Sequence, residues 1–292
     1  MKHLRGFSKD DDGISGAVTA TLIIATLTIV FTGVYAVVVP AWVETAESNH
    51  MHQVANDFAN LKKNIETQVA QGDEPLTMSS LITLKADQTQ NWFGVMGTTF
   101  PGTLTLDPYS ERFNLTNYEN PYEVYGSCQG AVYFVPKNQE YAGGAPMRFI
   151  YANSAVLKTQ TTTGVVTSDP IFNLVDEAGN RTFYFSTIKL FSQPTTISGS
   201  KSVAVETTTM DALVETYEGG MWASKVNITI NATSNLGYMK VYKTFYEERM
   251  KALGFIPGKD YISLGTGDTL KFTIKNVTRV VLYTGVLQAS LK

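Results

Sequence analysis

The chain predicts an α+β protein: a long N-terminal helix, hydrophobic and then amphipathic, followed by a mainly antiparallel β-rich globular head with one packed helix. Three observations predict it. From Ile14 to Val43 no Asp, Glu, Lys or Arg occurs. Val54, Phe58, Leu61, Ile65 and Val69 then recur at helical spacings of three and four. Beyond residue 80 the texture changes to short β-branched and aromatic runs separated by turn residues, the pattern of an antiparallel sheet or sandwich.

The uncharged run comes first. As a helix rising about 1.5 Å per residue it is about 45 Å long, more than the roughly 30 Å hydrocarbon core of a bilayer requires. A buried helix of a soluble protein is usually shorter and carries a polar stripe, which this run lacks apart from Ser and Thr. A secretory signal peptide has an apolar centre of about 7 to 15 residues followed by a small-residue cut site, and here the run passes directly into another helix. Lys2, Arg5 and Lys9 precede the span. Basic residues favour the cytoplasmic side, which places the bulk of the chain outside the cell.

Pro40 is expected to kink the helix or mark a boundary, because proline lacks a backbone donor and collides with the preceding turn. The stripe from Val54 to Val69 has Asp57, Lys62, Lys63 and Glu66 between its apolar members. It forms one face of an amphipathic helix that docks on the chain's own head, with Gly72 and Pro75 as its terminators. The domain reading is a charged leader over 1–13, a membrane or filament-core helix over 14–71, and a β-rich head over 72–292.

Strands are expected in SLITL (80–84), TLTL (103–106), AVYFV (131–135), MRFIY (147–151), KVNITI (225–230), LKFTI (270–274) and RVVLYTGVL (279–287). Gly-Gly, Asp-Pro and Pro-Gly pairs punctuate them. One helix interrupts the series. Met239, Tyr242, Tyr246, Met250 and Leu253 follow helical spacing, Asn235 is placed to cap the start and Gly254 to close the end,. Its aromatic residues read as core, and it is expected to lie across a sheet face.

A net charge of -3 over 292 residues gives no general electrostatic reason to bind nucleic acid,. Cys128 is the single cysteine, so no intrachain disulfide forms and the residue reads as a small buried hydrophobe. His50 and His52 lie near Glu47, yet two positions apart on a helix they diverge. LGTGD at 264–268 lacks the helix and third glycine of a phosphate loop and reads as a turn. Glu247 with Glu248, and Asp73 with Glu74, lack the flanking signatures of a catalytic dyad. No Gly-x-Ser-x-Gly elbow, Walker loop or Cys/His array appears,. No catalytic, cofactor-binding or metal-ligating residue is assigned, and the chain is read as a non-enzyme without cofactors.

Five Asn-x-Thr triplets begin at Asn114, Asn180, Asn227, Asn231 and Asn276. All lie on the expected outer side and are candidate glycosylation sites.

The front segment KDDDGISGAVTATLIIATLTIVFTGVYAVVV resembles the N-terminus of an archaeal type IV prepilin: a short charged leader, a boundary glycine, then an unbroken apolar helix. Within the head, YANSAVLKTQTTTGVV, PTTISGSKSVAVET and KVNITINATSNLGYMKVYKTFYEERMKALGF resemble a group of archaeal pilin-like surface proteins. The resemblance implies that a prepilin peptidase cuts after Gly13, so that the mature chain begins at Ile14. Removing the charged leader frees the helix to leave the bilayer, because buried charges are costly there. The helix then exchanges lipid contacts for other pilin subunits, with Gly16 and Ala20, four apart, permitting close approach and Val18 and Leu22 completing the packing surface. At Val18, the fifth mature position, bacterial pilins place a glutamate, which archaeal members commonly lack. The partners implied are the membrane, the peptidase, other pilin subunits and the pilus assembly machinery. A permanently membrane-anchored surface glycoprotein or adhesin, with the same β-rich head, is the alternative.

Overall fold

The computed structural model describes residues 8–72, 74–85, 101–137, 147–160, 163–199, 201–218 and 225–292. Helix α1 spans Ser8–Gly33, a single π-helical turn spans Val34–Val38, and α2 spans Val39–Gln71. The irregularity expected at Pro40 takes the form of that wide turn. The proline ring collides with the carbonyl four residues back, at Ala36, and the π turn holds Ala36,. By its contacts the chain divides into two compact units, Met1–Ser48 and Asn49–Lys292, so the division falls inside α2.

In the second unit the strands are β1 Thr77–Thr83, β2 Gly102–Asn117, β3 Val124–Pro136, β4 Met147–Ala152, β5 Ala155–Gln160, β6 Thr163–Ser168, β7 Phe172–Glu177, β8 Asn180–Phe191, β9 Thr195–Ser198, β10 Ser202–Tyr217 and β11 Val226–Ser234. Helix α3 Met239–Ala252 follows, then β12 Tyr261–Gly265, β13 Thr269–Val277 and β14 Arg279–Leu291. Every run expected as a strand falls within or overlaps one of these. One sheet has the order β1-β10-β14-β8-β7; the nine-stranded sheet runs β12-β13-β11-β2-β3-β4-β5-β6, with β9 also paired to β2. Strand β14 runs parallel to β8, and the other strand pairs are antiparallel.

Asp169-Pro170 separates β6 from β7, as expected of a turn signal. Asp107-Pro108 does not: it lies inside β2, where the pairing with β3 shifts register between Asp107 and Arg112. Proline here makes a bulge instead of a break, since a bulge leaves its missing donor outside the ladder.

The end of α3 closes as expected. Gly254, at φ +84°, donates to the Lys251 carbonyl and Phe255 donates to that of Met250, the paired bonds of a Schellman motif. The start differs. Tyr238, not Asn235, holds the capping position, and no side chain bonds there. The Asn235 amide instead donates to the Ser110 carbonyl, and the Met239 amide to that of Gly267. Neighbouring segments therefore supply the acceptors a cap would supply. Leu253 is the C-cap and is exposed, while Met239, Tyr242, Tyr246 and Met250 are buried.

Two hydrophobic cores result. One gathers α3 with residues of both sheets, including Phe113, Phe172, Phe183, Phe272 and Leu282. Helix α3 touches β6 at one edge of the larger sheet and β12 with β13 at the other. The second core gathers Val54, Phe58, Leu61, Ile65 and Val69 of α2 with Leu104, Phe134, Phe149, Leu190 and Val205. The amphipathic stripe thus docks on the chain's own head. At Gly285 of β14 a Cβ would stand 2.5 Å from Val69 Cγ2, so glycine admits the helix there,.

Arg181 ties the two sheets. Its guanidinium bonds to Asp176 at 3.0 Å, to Asp260 at 2.7 Å and to the Lys275 carbonyl at 3.0 Å, and lies over the Phe255 ring. The Arg181 hydrogen bond holds the Asp176 carboxyl below its ordinary range. At Asp260 burial opposes ionisation, and the Ile256 amide with Arg181 outweighs it.

Candidate functional site

Two surfaces among the described residues stand out: the apolar helix of the first unit and a polar face of the larger sheet. Among the described residues one helix, near the N-terminus, is long and apolar enough to cross a membrane. From Gly16 to Gly33 its side chains are exposed, Val18, Leu22, Ile24, Ile29 and Phe31 among them. The polar groups in this run do not contradict that. The hydroxyls of Thr21, Thr26, Thr28 and Thr32 each donate to the carbonyl four residues back, at 2.7–2.9 Å. Such back-bonding satisfies the hydroxyl inside the helix and leaves the surface apolar. Tyr35 and Trp42 are exposed farther along, amphipathic side chains suited to a membrane–water boundary.

The backbone of Gly13 and Ile14 lies within α1. Gly16 has no atom within 4 Å of where a Cβ would stand, and Val18, Ala20 and Leu22 near it are exposed.

Within the second unit, polar groups of α2 register it on the head. Gln68 is fully buried: its amide nitrogen donates to the Leu76 and Thr207 carbonyls, and its oxygen accepts from the Thr207 hydroxyl, all at 2.7 Å. Asp57 accepts the Thr83 amide at 2.8 Å. His50 is buried with Nε2 3.1 Å from the Thr83 carbonyl, while His52 is exposed. A carbonyl only accepts, so Nε2 carries the proton. Burial lowers the His50 pKa despite the Thr83 bond and the nearby Asp57. His50 and Gln68 give no signal in the sequence, because polar residues at the margin of a stripe look solvent-facing. Among the described residues no group of three His, Cys, Asp or Glu is arranged to hold a metal. Cys128 is buried, and burial pushes its thiol pKa far up.

The Asn-x-Thr triplets sort by geometry. In four of them the middle residue is buried: Leu115, Ile228, Ala232 and Val277. A strand with one face in the core alternates polar and apolar residues, so Asn-apolar-Thr is also what such a strand displays. Asn114, Asn180 and Asn276 are exposed, and Asn227 and Asn231 are half-buried. The Asn231 amide nitrogen donates to the Thr116 hydroxyl at 3.1 Å, and Asn227 Oδ1 accepts the Asn276 amide at 3.2 Å.

Three of these triplets share the outer face of the nine-stranded sheet. Strand registers set Ser127, Asn114, Asn231, Lys271 and Leu264 side by side across β3, β2, β11, β13 and β12. Thr116, Thr229 and Thr273 form the neighbouring row, with Thr229 and Thr273 hydroxyls 2.9 Å apart. Arg112 lies beside Thr233 on the other side. A shallow cleft of about 470 Å³ opens over this face.

No protein-family model, curated protein or solved structure matches this chain.

Behind the cleft, on the core side of β2, lies Glu111, 1% exposed. Its Oε1 accepts the Ser234 hydroxyl at 2.8 Å, and Oε2 has no partner among the described residues. Burial raises its pKa from 4.5 to about 8, against Ser234 and the nearby Tyr238 hydroxyl, and Asp107 adds to the rise. Its neighbours Tyr238 and Tyr242 are buried, and burial raises their pKa values as well. The acid belongs to the core around α3.

Proposed function

We propose that this chain is a type IV pilin-like subunit of an archaeal cell-surface filament, cut after Gly13 and assembled through its N-terminal helix. One observation carries the reading: a helix apolar on all sides from Gly16 to Gly33, with the hydroxyls of Thr21, Thr26, Thr28 and Thr32 bonded to its own backbone, precedes a head with two hydrophobic cores among its described residues. Lipid or other copies of the helix are the partners its chemistry fits, and Gly16 with Ala20 allows close helix approach. In this reading the head lies outside the cell, and its exposed Asn114, Asn180 and Asn276 are the sequons most open to glycosylation. The prepilin peptidase and the pilus assembly machinery are its further partners.

A second reading draws on the same helix: a permanently anchored surface glycoprotein or adhesin, with Tyr35 and Trp42 at the outer boundary of the bilayer. Mass spectrometry of the N-terminus, in membrane and sheared-surface fractions, separates the two. A start at Ile14 with protein in the sheared fraction supports the filament. An intact leader confined to membranes refutes it in favour of the anchor.

A further inference from the structure

We infer that the cleft on the outer face of the nine-stranded sheet binds an acidic oligosaccharide. The inference holds for a filament subunit and for an anchored protein alike, in chains whose Asn114 carries no glycan. The cleft is lined by Arg112, Asn114, Asn231, Thr233, Leu264 and Lys271, and no carboxylate among the described residues lines it. The chain carries a net charge of -3, so a face whose charges are two cations departs from the whole. Neither cation has an acidic partner among the described residues. Arg112 makes no ion pair among the described residues, and Lys271 places its ammonium 5.3 Å from the centre of the Tyr118 ring instead of beside an acid. An unpaired guanidinium and ammonium on one concave surface are complementary to carboxylates.

The neutral groups specify the rest of the ligand. Among the described residues Asn114 has its amide uncommitted, and Asn231, whose nitrogen goes to Thr116, keeps its Oδ1 without a partner. With the Thr233 hydroxyl they offer donors and acceptors in rows about 4.8 Å apart, the strand spacing. Alternating hydroxyls of a sugar chain need both kinds of partner at such intervals. Leu264 is 58% exposed at the end of the row, an apolar platform for the C–H face of a sugar ring. Nucleic acid fits less well: two cations neutralise few phosphates, and no row of aromatic side chains stands ready for bases.

The test uses the full chain, produced without N-glycosylation so that Asn114 is unmodified, in detergent micelles. Calorimetric titration with an oligogalacturonate is compared with a neutral malto-oligosaccharide of equal length and with a single-stranded oligonucleotide. Saturable binding of the oligogalacturonate, weakened by salt, is expected. The double variant Arg112→Gln/Lys271→Gln lowers affinity about tenfold or more. Lys240→Gln/Arg249→Gln, which removes the same charge from exposed positions of α3, leaves it unchanged. Both pairs are exposed, and circular dichroism checks that the folds match. The inference is overturned by absence of oligogalacturonate binding, by equal binding of the neutral sugar, by equal loss in the two double variants, or by preference for the oligonucleotide.

Discussion

The substitution Glu111→Gln tests the electrostatics of the head most directly. In the unfolded chain this carboxyl titrates near 4.5, and in the folded protein near 8. A raised folded pKa means that the native state holds its proton longer than the unfolded state. Its contribution to stability is fully present below pH 4.5 and is lost as pH rises through 8. Each pH unit in that window costs about 1.4 kcal/mol, or about 3 kcal/mol by pH 7. A glutamine side chain would keep the shape, accept the same Ser234 hydroxyl and never ionise. The assay is urea unfolding of both proteins at pH 5, 6, 7 and 8, comparing the difference in unfolding free energy so that other titrating groups cancel. At pH 5 the proteins differ little. By pH 8 the variant gains relative to the parent, with the difference widening at about 1 kcal/mol per pH unit through the upper part of the window. Parallel pH profiles would refute the reasoning and mean that Glu111 reaches solvent or a cationic partner in solution.

Other substitutions test other parts of the fold. Arg181→Ala leaves Asp176 and Asp260 without their shared cation in a site where Arg181 is 15% exposed; a loss of about 3 kcal/mol is expected, read as a lower denaturation midpoint, and a loss under about 1 kcal/mol would mean the clasp is solvated. Gly285→Val drives a side chain into Val69, so hydrogen exchange is expected to accelerate along α2 between Val54 and Val69, with stability falling by about 1–3 kcal/mol; unchanged protection there would show that the helix is not seated on β14. If the filament reading holds, Val18→Asp, which places a charge on the apolar helix at a cost of about 2.5–3.5 kcal/mol in a bilayer, removes filaments from the sheared fraction while the circular dichroism of the β-rich head persists. Normal filaments from that variant would argue against a helix-packed core.

Local patterns carried the helices and half of the strands, those from β5 to β10 and β12 going unmarked. The uncharged run, the three-and-four spacing of Val54 to Val69, and the Schellman ending at Gly254 are written in short windows, because helical hydrogen bonds and caps join residues a few positions apart. Period-two alternation likewise marks β2, β11 and β13, and it also produces Asn-apolar-Thr triplets, so a sequon pattern and a half-buried strand look alike in the sequence. What only the tertiary structure decided joins residues far apart in the chain. The parallel seating of β14 on β8, the meeting of both sheet edges at α3, and the row from Ser127 to Leu264 depend on strand order, which no local window encodes. Asn235 looked like a cap until Ser110 and Gly267 supplied backbone acceptors from elsewhere in the chain. Glu111 reads as any surface acid; the bulge after Pro108 and the pairing with Ser234 turned it inward. Sequence alone determined which segments must hide apolar faces, and the fold determined which polar groups went with them, because burial depends on neighbours that the chain brings together only when it closes.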